Sequence, residues 1–230
     1  MNDGQNYTVA TIKSWNLAAF ARHRTSLAGQ WQLITQREEL TFDNLERTSP
    51  RYVFFPHWSW RVPSQILSRF ECVCFHMSDV PYGRGGSPLQ NLILGGHKST
   101  MLSALRMVEE MDAGPVYIKK PLSLEGCAEE IFERAAELVF QIIREIIERE
   151  PVPESQVGHL VTFERRTPEQ SSLPKTGDIL ALYDFVRMLD APTYPRAFIE
   201  WGEFRLELDH AELASPDSIV ARAVIRLKGP

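Results

Sequence analysis

The sequence predicts an α/β fold with a mostly parallel sheet and a small C-terminal α+β appendage. Short apolar runs alternate with helical stretches over the first 150 residues, which is typical of βαβ units. The run 51–56 (RYVFFP) is aromatic and β-branched throughout, like strands buried on both faces of a parallel sheet. After Pro151 the pattern changes, so we expect a main domain at residues 1–150 and an appendage at 151–230.

The elements follow in order along the chain. Apolar runs predict strands at 7–12, 31–34, 51–56, 72–77, 103–107 and 116–121. Helical spacing predicts helices at 16–23, 64–70, 89–94, 128–149 and 178–190, with 38–47 helical or irregular. A loop rich in Gly and Pro is expected at 79–88, and antiparallel strands are expected at 198–208 and 218–227.

Composition and charge narrow the class of protein. Of 230 residues, 43% are hydrophobic and 24% are charged, which excludes a disordered chain. The net charge of −5 argues against nonspecific nucleic-acid binding as the main task, because neutralising phosphates needs clustered Lys and Arg. Three cysteines without metal-type spacing fit a reducing compartment, and we expect no metal site. No apolar run is long enough to span a bilayer, and residues 1–7 lack an apolar signal core, so a cytoplasmic protein without a membrane partner is expected.

Two short segments carry side chains that suggest chemistry. The first, 74–90 (CFHMSDVPYGRGGSPLQ), starts in a predicted strand and contains His76. The second, 111–116 (MDAGPV), contains Asp112. Taken alone, His76 fits a structural histidine and Asp112 fits a turn residue, so neither segment identifies a function by itself.

Together, in this order and spacing, the two segments resemble the catalytic domain of the folate-dependent formyltransferases. His76 matches the histidine of the family, and Ser78 and Pro81 match the motif positions that follow it. The stretch 84–90 (RGGSPLQ) matches the glycine loop, and 111–115 (MDAGP) matches the aspartate loop.

This resemblance covers residues 52–149 well and extends more weakly to 183–201. It implies a Rossmann-like sheet for the main domain. Within the family, the segment 76–86 (HMSDVPYGRGG) is most similar to sugar-nucleotide N-formyltransferases of the pseudaminic-acid-pathway type.

The chemistry that the resemblance implies is transfer of a formyl group from 10-formyltetrahydrofolate to a primary amine. The amine attacks the formyl carbon, a tetrahedral oxyanion forms, and the amine nitrogen must lose a proton. His76 is the expected base and oxyanion partner, because imidazole accepts protons near neutral pH. Asp112 is the expected orienting carboxylate and proton relay. A buried ion pair with a structural role is the alternative for this pair.

One position departs from the family, which has Asn two residues before the histidine where this chain has Cys74. Loss of one oxyanion donor typically costs ~2.7–4 kcal/mol, and a neutral thiol is only a weak donor. Three interpretations stay open: another donor such as Asn16, Ser78 or a backbone N–H acts instead, the enzyme is slow, or the protein no longer transfers formyl groups. A nucleophilic role for Cys74 is disfavoured because it lies in an apolar strand.

Residues for binding follow from the same resemblance. For the folate we expect the segment after the strand at 51–56, through its backbone more than its rings, together with the aspartate loop: Trp58, Ser59, Trp60, Val62, Asp112 and Gly114. Packing within the core or on the surface is the alternative for both tryptophans.

For the acceptor substrate we expect residues of the glycine loop and of the loop after the first strand: Ser78, Arg84, Gly85, Lys13 and Asn16. A guanidinium suits phosphate or carboxylate, and glycine lets a backbone approach a ligand closely. The alternatives are an ion pair of Arg84 with Asp79, and a solvated loop with a helix cap after the first strand.

The sequence thus predicts an N-formyltransferase whose acceptor is the amine of a small amino sugar, expected to be nucleotide-linked, and no nucleic-acid partner. A degenerate folate- or sugar-binding protein and a formyl-folate hydrolase are the alternatives. Methionyl-tRNA formylation is disfavoured. Enzymes of that type are expected to have a longer chain with a basic C-terminal tRNA-binding domain, whereas this chain has a short C-terminal part and is acidic. A homodimer stays open, since the apolar strand at 198–208 either forms an interface or covers the domain.

Overall fold

A computed structural model of the chain describes residues 4–228, which form two compact units. The first contains the chain up to Gly85, Met101–Leu122 and Glu133–Thr162. The second contains Gly86–Thr100, Ser123–Phe132 and the chain from Phe163 onward. The two domains expected at residues 1–150 and 151–230 stay a prediction.

Strands and helices follow one another along most of the chain. The strands are β1 (Asn6–Ala10), β2 (Gln30–Ile34), β3 (Tyr52–Phe55), β4 (Cys72–His76), β5 (Tyr82–Gly85), β6 (Ser99–Arg106), β7 (Val116–Ser123), β8 (Val161–Phe163), β9 (Ala197–Trp201), β10 (Phe204–Ser215) and β11 (Ser218–Leu227). The helices are α1 (Ser14–His23), α2 (Phe42–Thr48), α3 (Ser64–Arg69), α4 (Pro88–Leu94), α5 (Ala128–Arg149) and α6 (Ile179–Arg187).

Six strands form the central sheet, in the order β2-β1-β3-β4-β6-β7. β1 pairs in parallel with β2 and β3, and β3 pairs in parallel with β4, whereas β6 runs antiparallel to β4. The predicted α/β class with a mostly parallel sheet is therefore confirmed, and the antiparallel sheet of the C-terminal part agrees with it.

Alternate residues of the central strands build the core on one face of the sheet. Val53 and Phe55 of β3 and Cys72 of β4 belong to one buried cluster with residues of α2 and α3. Cys74 packs against the edge of this cluster, and His76 shares its face because side chains two residues apart in a strand point the same way. The helix α5 has the predicted bounds, and its stripe of apolar residues is almost completely buried.

The second unit contains a three-stranded antiparallel sheet in the order β11-β10-β9. Asp209 and His210 of β10 lie close to Asp190 after α6, and the two carboxylates are buried whereas His210 is exposed. Arg222 donates to both carboxylate oxygens of Asp209 at 2.7 Å, and Arg196 bonds to Asp190. The arginine contacts lower the pKa of Asp209 to about 2, so this group is a network of ion pairs.

Two segments differ most from the prediction. The segment expected as a loop at 79–88 contains the short strand β5, which pairs with β8 from a distant part of the chain. The strand expected at 198–208 is two strands, because Gly202 turns the chain with a φ of 56°. No helix among residues 4–228 is both long and apolar enough to cross a bilayer.

A buried ion pair holds the second unit together at α6. The Arg187 Nε donates to Asp184 at 2.6 Å, and its Nη1 donates to the carbonyl oxygens of Leu124 and Gly126, both at 2.7 Å. Arg187 therefore ties α6 to the segment before α5.

Replacing this arginine should destabilise the protein strongly. We expect Arg187→Ala to lower the free energy of unfolding by ~3–5 kcal/mol, because it leaves the buried Asp184 carboxylate with only the more distant and exposed Lys98, at 3.4 Å. The control Arg149→Ala removes an exposed partner of Glu145 and should cost less than ~1 kcal/mol. Urea unfolding at pH 7 measures both, and equal losses would contradict the role of Arg187.

Candidate active site

The predicted site residues lie where three parallel strands end. β1, β3 and β4 are neighbours and run in the same direction, so the segments that follow Ala10, Phe55 and His76 leave the sheet at one edge. Ligands bind at this carboxyl edge in open α/β sheets. All the predicted site residues belong to the first unit.

His76 is buried at the end of β4 and is held by the loop that follows it. Its Nε2 lies 2.7 Å from the carbonyl oxygen of Gly83, and because a carbonyl only accepts, Nε2 donates. The Ser78 hydroxyl donates to the same oxygen at 3.1 Å. Ser103 of β6 in turn donates to the Ser78 carbonyl at 2.7 Å, which fixes this turn to the sheet.

Asp112 lies on the other side of the histidine ring. Its Oδ2 is 3.5 Å from His76 Nδ1 and accepts the backbone N–H of Gly85 at 3.0 Å. Both ring nitrogens of His76 therefore face hydrogen-bond acceptors. The predicted role as base requires that one ring nitrogen be released from its acceptor, so that it can accept a proton.

The aspartate loop requires a glycine at its centre. A Cβ on Gly114 would lie 1.7 Å from the carbonyl oxygen of Arg106, so no other residue fits there. Asp112 itself has a φ of 55°, a conformation that Asp tolerates better than most residues. Gly114 thus acts through close packing of the loop, and its predicted contact with folate stays a prediction.

Gln156 was not predicted, yet it joins the two loops of the site. Its Nε2 donates to the carbonyl oxygens of Asp112 at 2.7 Å and Gly114 at 2.8 Å. Its Oε1 accepts from Arg84 Nε at 2.9 Å. Gln156 lies in the polar segment after α5, where no motif or periodicity marks it.

The Arg84 side chain contacts Gln156 and Glu110, and it does not contact Asp79. Besides Gln156, its Nη1 lies 3.5 Å from the carboxylate of Glu110, whereas Asp79 pairs with Lys119 at 2.5 Å. The ion pair with Asp79, considered from the sequence as the alternative for Arg84, is therefore wrong. The predicted acceptor contacts of Arg84 and Gly85 stay predictions.

Cys74 is a neutral thiol in the sheet. It pairs with Phe55 of β3 and Leu105 of β6, and it lies on the same sheet face as His76. Burial raises the pKa of the Cys74 thiol far above its ordinary value, and the nearby Asp112 charge raises it further. A nucleophilic role, which requires a thiolate, is thus disfavoured on electrostatic grounds as well.

The segment expected to hold the folate contains an unused hydrogen-bond donor. The indole Nε1 of Trp58 is buried and has no hydrogen-bond partner among residues 4–228, which is uncommon for a buried tryptophan. Trp58 packs edge-on against Phe55 and Trp60 at centroid distances of 6.1 and 4.9 Å. Ser59 and Trp60 are exposed, while the Val62 side chain is part of the core.

Lys13 and Asn16 lie in the loop and helix after β1. The Asn16 side chain donates to the carbonyl oxygen of Pro56 at 3.3 Å, beside the Thr11 hydroxyl at 2.7 Å. The Asn16 side chain therefore holds the residue that directly follows β3. Partial burial lowers the pKa of Lys13, whose Nζ lies 5.6 Å from the centre of the Trp15 ring. Acceptor roles for both residues stay predictions.

Comparison with known proteins extends the similarity across the chain. A family model described as the C-terminal domain of methionyl-tRNA formyltransferase matches residues 168–226. The solved structure of a methionyl-tRNA formyltransferase from Clostridium thermocellum is 42% identical, with a TM-score of 0.94 over 97% of this chain and 100% of that one. A 4-N formyltransferase from Francisella tularensis, 14% identical with a TM-score of 0.67, shares the fold over 98% of this chain and 99% of its own.

Curated relatives carry the same name. The methionyl-tRNA formyltransferase of Mesoplasma florum is 29% identical over 69% of this chain, and that of Bacillus mycoides is 26% identical over 80%. The chain spans 55% and 63% of the length of these two relatives.

These findings correct two expectations. The prediction of an amino-sugar acceptor, with its binding-protein and hydrolase alternatives, is wrong, because the relatives at 26–42% identity are methionyl-tRNA formyltransferases. The prediction of no nucleic-acid partner is contradicted by the same relatives. It rested on the net charge of −5, and a sum over the whole chain does not report the charge of one surface.

The thiols of β4 should be unreactive in the folded protein. Burial raises the pKa of Cys72 to about 12 and that of Cys74 further, so almost no thiolate exists at pH 8.5. We expect iodoacetamide to alkylate both at least ~100-fold more slowly in the folded protein than in urea. Peptide mass spectrometry measures each site, and equal labelling of Cys74 in both states would contradict its assigned environment.

Proposed function

Because the chain belongs to the formyltransferase family, whose formyl donor is 10-formyltetrahydrofolate, we propose that it transfers this formyl group to the amino group of methionyl-tRNA. The observation that carries the proposal is the buried His76–Asp112 pair at the carboxyl edge of the sheet. The similarity to methionyl-tRNA formyltransferases at 42% identity supports the choice of acceptor.

The reaction exchanges one C–N bond for another. The amine nitrogen forms a bond to the formyl carbon, and the bond from that carbon to the folate nitrogen breaks. The amine loses one proton and the departing folate nitrogen gains one. A single group that accepts the first proton and returns it to the leaving nitrogen therefore balances the reaction.

His76 is the proposed group for this proton transfer. In its resting contacts, the His76 Nε2 donates to the Gly83 carbonyl and Nδ1 faces Asp112. An imidazolium stabilises a developing oxyanion through a charge-assisted hydrogen bond. To accept the proton of the amine, the ring must release one nitrogen from its resting contact, and it becomes an imidazolium when that proton arrives.

The side chains that the sequence offered as substitute oxyanion donors already have partners. Ser78 donates to the Gly83 carbonyl and Asn16 to the Pro56 carbonyl. The Cys74 thiol is neutral and donates weakly. We therefore propose that His76, once it has accepted the proton of the amine, takes over the oxyanion contact of the missing asparagine.

The proposed donor site is the segment after β3. The Trp58 Nε1 is a buried donor without a protein partner, and it fits the acceptor-rich edge of a folate ring system. When bound, 10-formyltetrahydrofolate supplies the activated formyl carbon. The chain supplies the orientation, through the fixed turn at His76 and the aspartate loop.

Activity should require methionyl-tRNA and His76. We expect tetrahydrofolate release from 10-formyltetrahydrofolate with methionyl-tRNA, and none with uncharged tRNA or without acceptor. His76→Ala should lower kcat/KM by at least ~100-fold, the contribution of a general acid–base group. The control His159→Ala removes an exposed histidine and should leave activity unchanged. Release without an acceptor, or activity in His76→Ala, would contradict the proposal.

Gln156 should act as a positioning residue. We expect Gln156→Ala to lower kcat ~10–100-fold with a smaller change in KM, since it frees the aspartate loop near the reacting groups. The pH–rate profile should also shift, because the distance from Asp112 to His76 is no longer fixed. The control is Gln65→Ala, an exposed glutamine on α3. A lower Tm with an unchanged pH profile would indicate a purely structural role.

A further inference from the structure

The antiparallel sheet of the second unit has one face without charges. In the ladder, Phe204 lies beside Trp201 and Leu227, and Leu206 lies beside Ile199 and Ile225. Side chains alternate along a strand, so the pairing places one set of residues on this face. All of them are apolar: Ile199, Trp201, Phe204, Leu206, Leu208, Ala223, Ile225 and Leu227. We call this set the apolar face.

The opposite face of the same sheet carries the charges. Arg205 pairs with Glu200 and Arg226 pairs with Glu207, each at 3.2 Å. Arg222 pairs with the buried carboxylate of Asp209 further along the hairpin. The sheet is thus amphipathic. One face is apolar, and the charged residues of the other face pair with one another.

The apolar face is unusually exposed for a folded protein. Trp201 is 72% exposed, Leu227 71% and Ile225 64%, and Ile199 and Phe204 are exposed as well. These side chains present roughly 600 Å² of apolar surface, which is at the upper limit of the largest patch on a typical monomer. Leaving this surface in water is unfavourable, so a partner is expected to cover it.

We propose that a second copy of this chain covers the apolar face in a symmetric homodimer. When the same face meets itself, it brings no like charges together, because none of its residues is charged. Two copies together bury about 1,200 Å², which reaches the lower end of the range for stable interfaces. The sheets would pack face to face at about 10 Å, as in a β-sandwich.

A nucleic acid does not fit this surface, because phosphate binding requires cations and the apolar face has none. The inference is therefore independent of the proposed acceptor. It concerns only the sheet of the second unit, whose strands all lie within residues 197–227.

The test compares two substitutions on one strand. Ile225 and Val220 are exposed to 64% and 63%, but Val220 has the parity of Arg222 and lies on the charged side of β11. Sedimentation velocity of the full chain should give a dimer at micromolar concentration. We expect Ile225→Glu to weaken dimerisation at least ~100-fold, because it buries an unpaired charge. Val220→Glu should leave the dimer intact.

Leu227→Glu at the end of β11 provides a second substitution on the apolar face, and circular dichroism verifies that each variant is folded. It should shift the monomer–dimer equilibrium in the same direction as Ile225→Glu. A parent protein that sediments as a monomer up to ~100 µM overturns the proposal, because the apolar face then has no second copy to cover it. Equal weakening by Ile225→Glu and Val220→Glu also overturns it, because the effect would not depend on the face.

Discussion

The parallel register of β1, β3 and β4 is the constraint on which the candidate site depends. Val9 pairs with Phe54, and Phe55 pairs with Cys74, so the three strands end at nearly the same level. A shift of β4 by one residue would turn His76 to the other face of the sheet. The Pro56 carbonyl, which accepts from Thr11 and Asn16, further ties the end of β3 to the segment after β1.

The aspartate reaches this edge by a different route. β6 is antiparallel to β4, and Arg106 at its end pairs with Val73 near the start of β4. The chain must therefore turn back over the face that carries Cys74 before Asp112 can approach His76. The bond from Met107 N–H to the Cys72 carbonyl holds the beginning of this path, and the close packing of Gly114 on Arg106 holds its end.

The sequence predicted those parts of the fold that depend on periodicity. The buried strands β3 and β4 and the amphipathic helix α5 each carry their pattern of apolar residues within their own sequence. The strand β5 escaped prediction because its Gly-rich sequence pairs with β8 about 80 residues away, and no local pattern encodes such a partner. His76 and Asp112 were found through motifs, whereas Gln156 lies outside any motif and is recognised only from its hydrogen bonds. The predicted acceptor was wrong, because the total charge does not report the charge of one surface and a short sequence similarity does not identify a substrate.

The side-chain amide of Gln156 joins the two loops of the site, and an amide makes this connection insensitive to pH. Gln156 does not titrate, so its bonds to the Asp112 and Gly114 carbonyls and to Arg84 are the same in acidic and alkaline solution. The hydrogen bonds of Gln156 do not involve the imidazole of His76 or the carboxylate of Asp112. The bonds that set the spacing of His76 and Asp112 therefore do not change with pH.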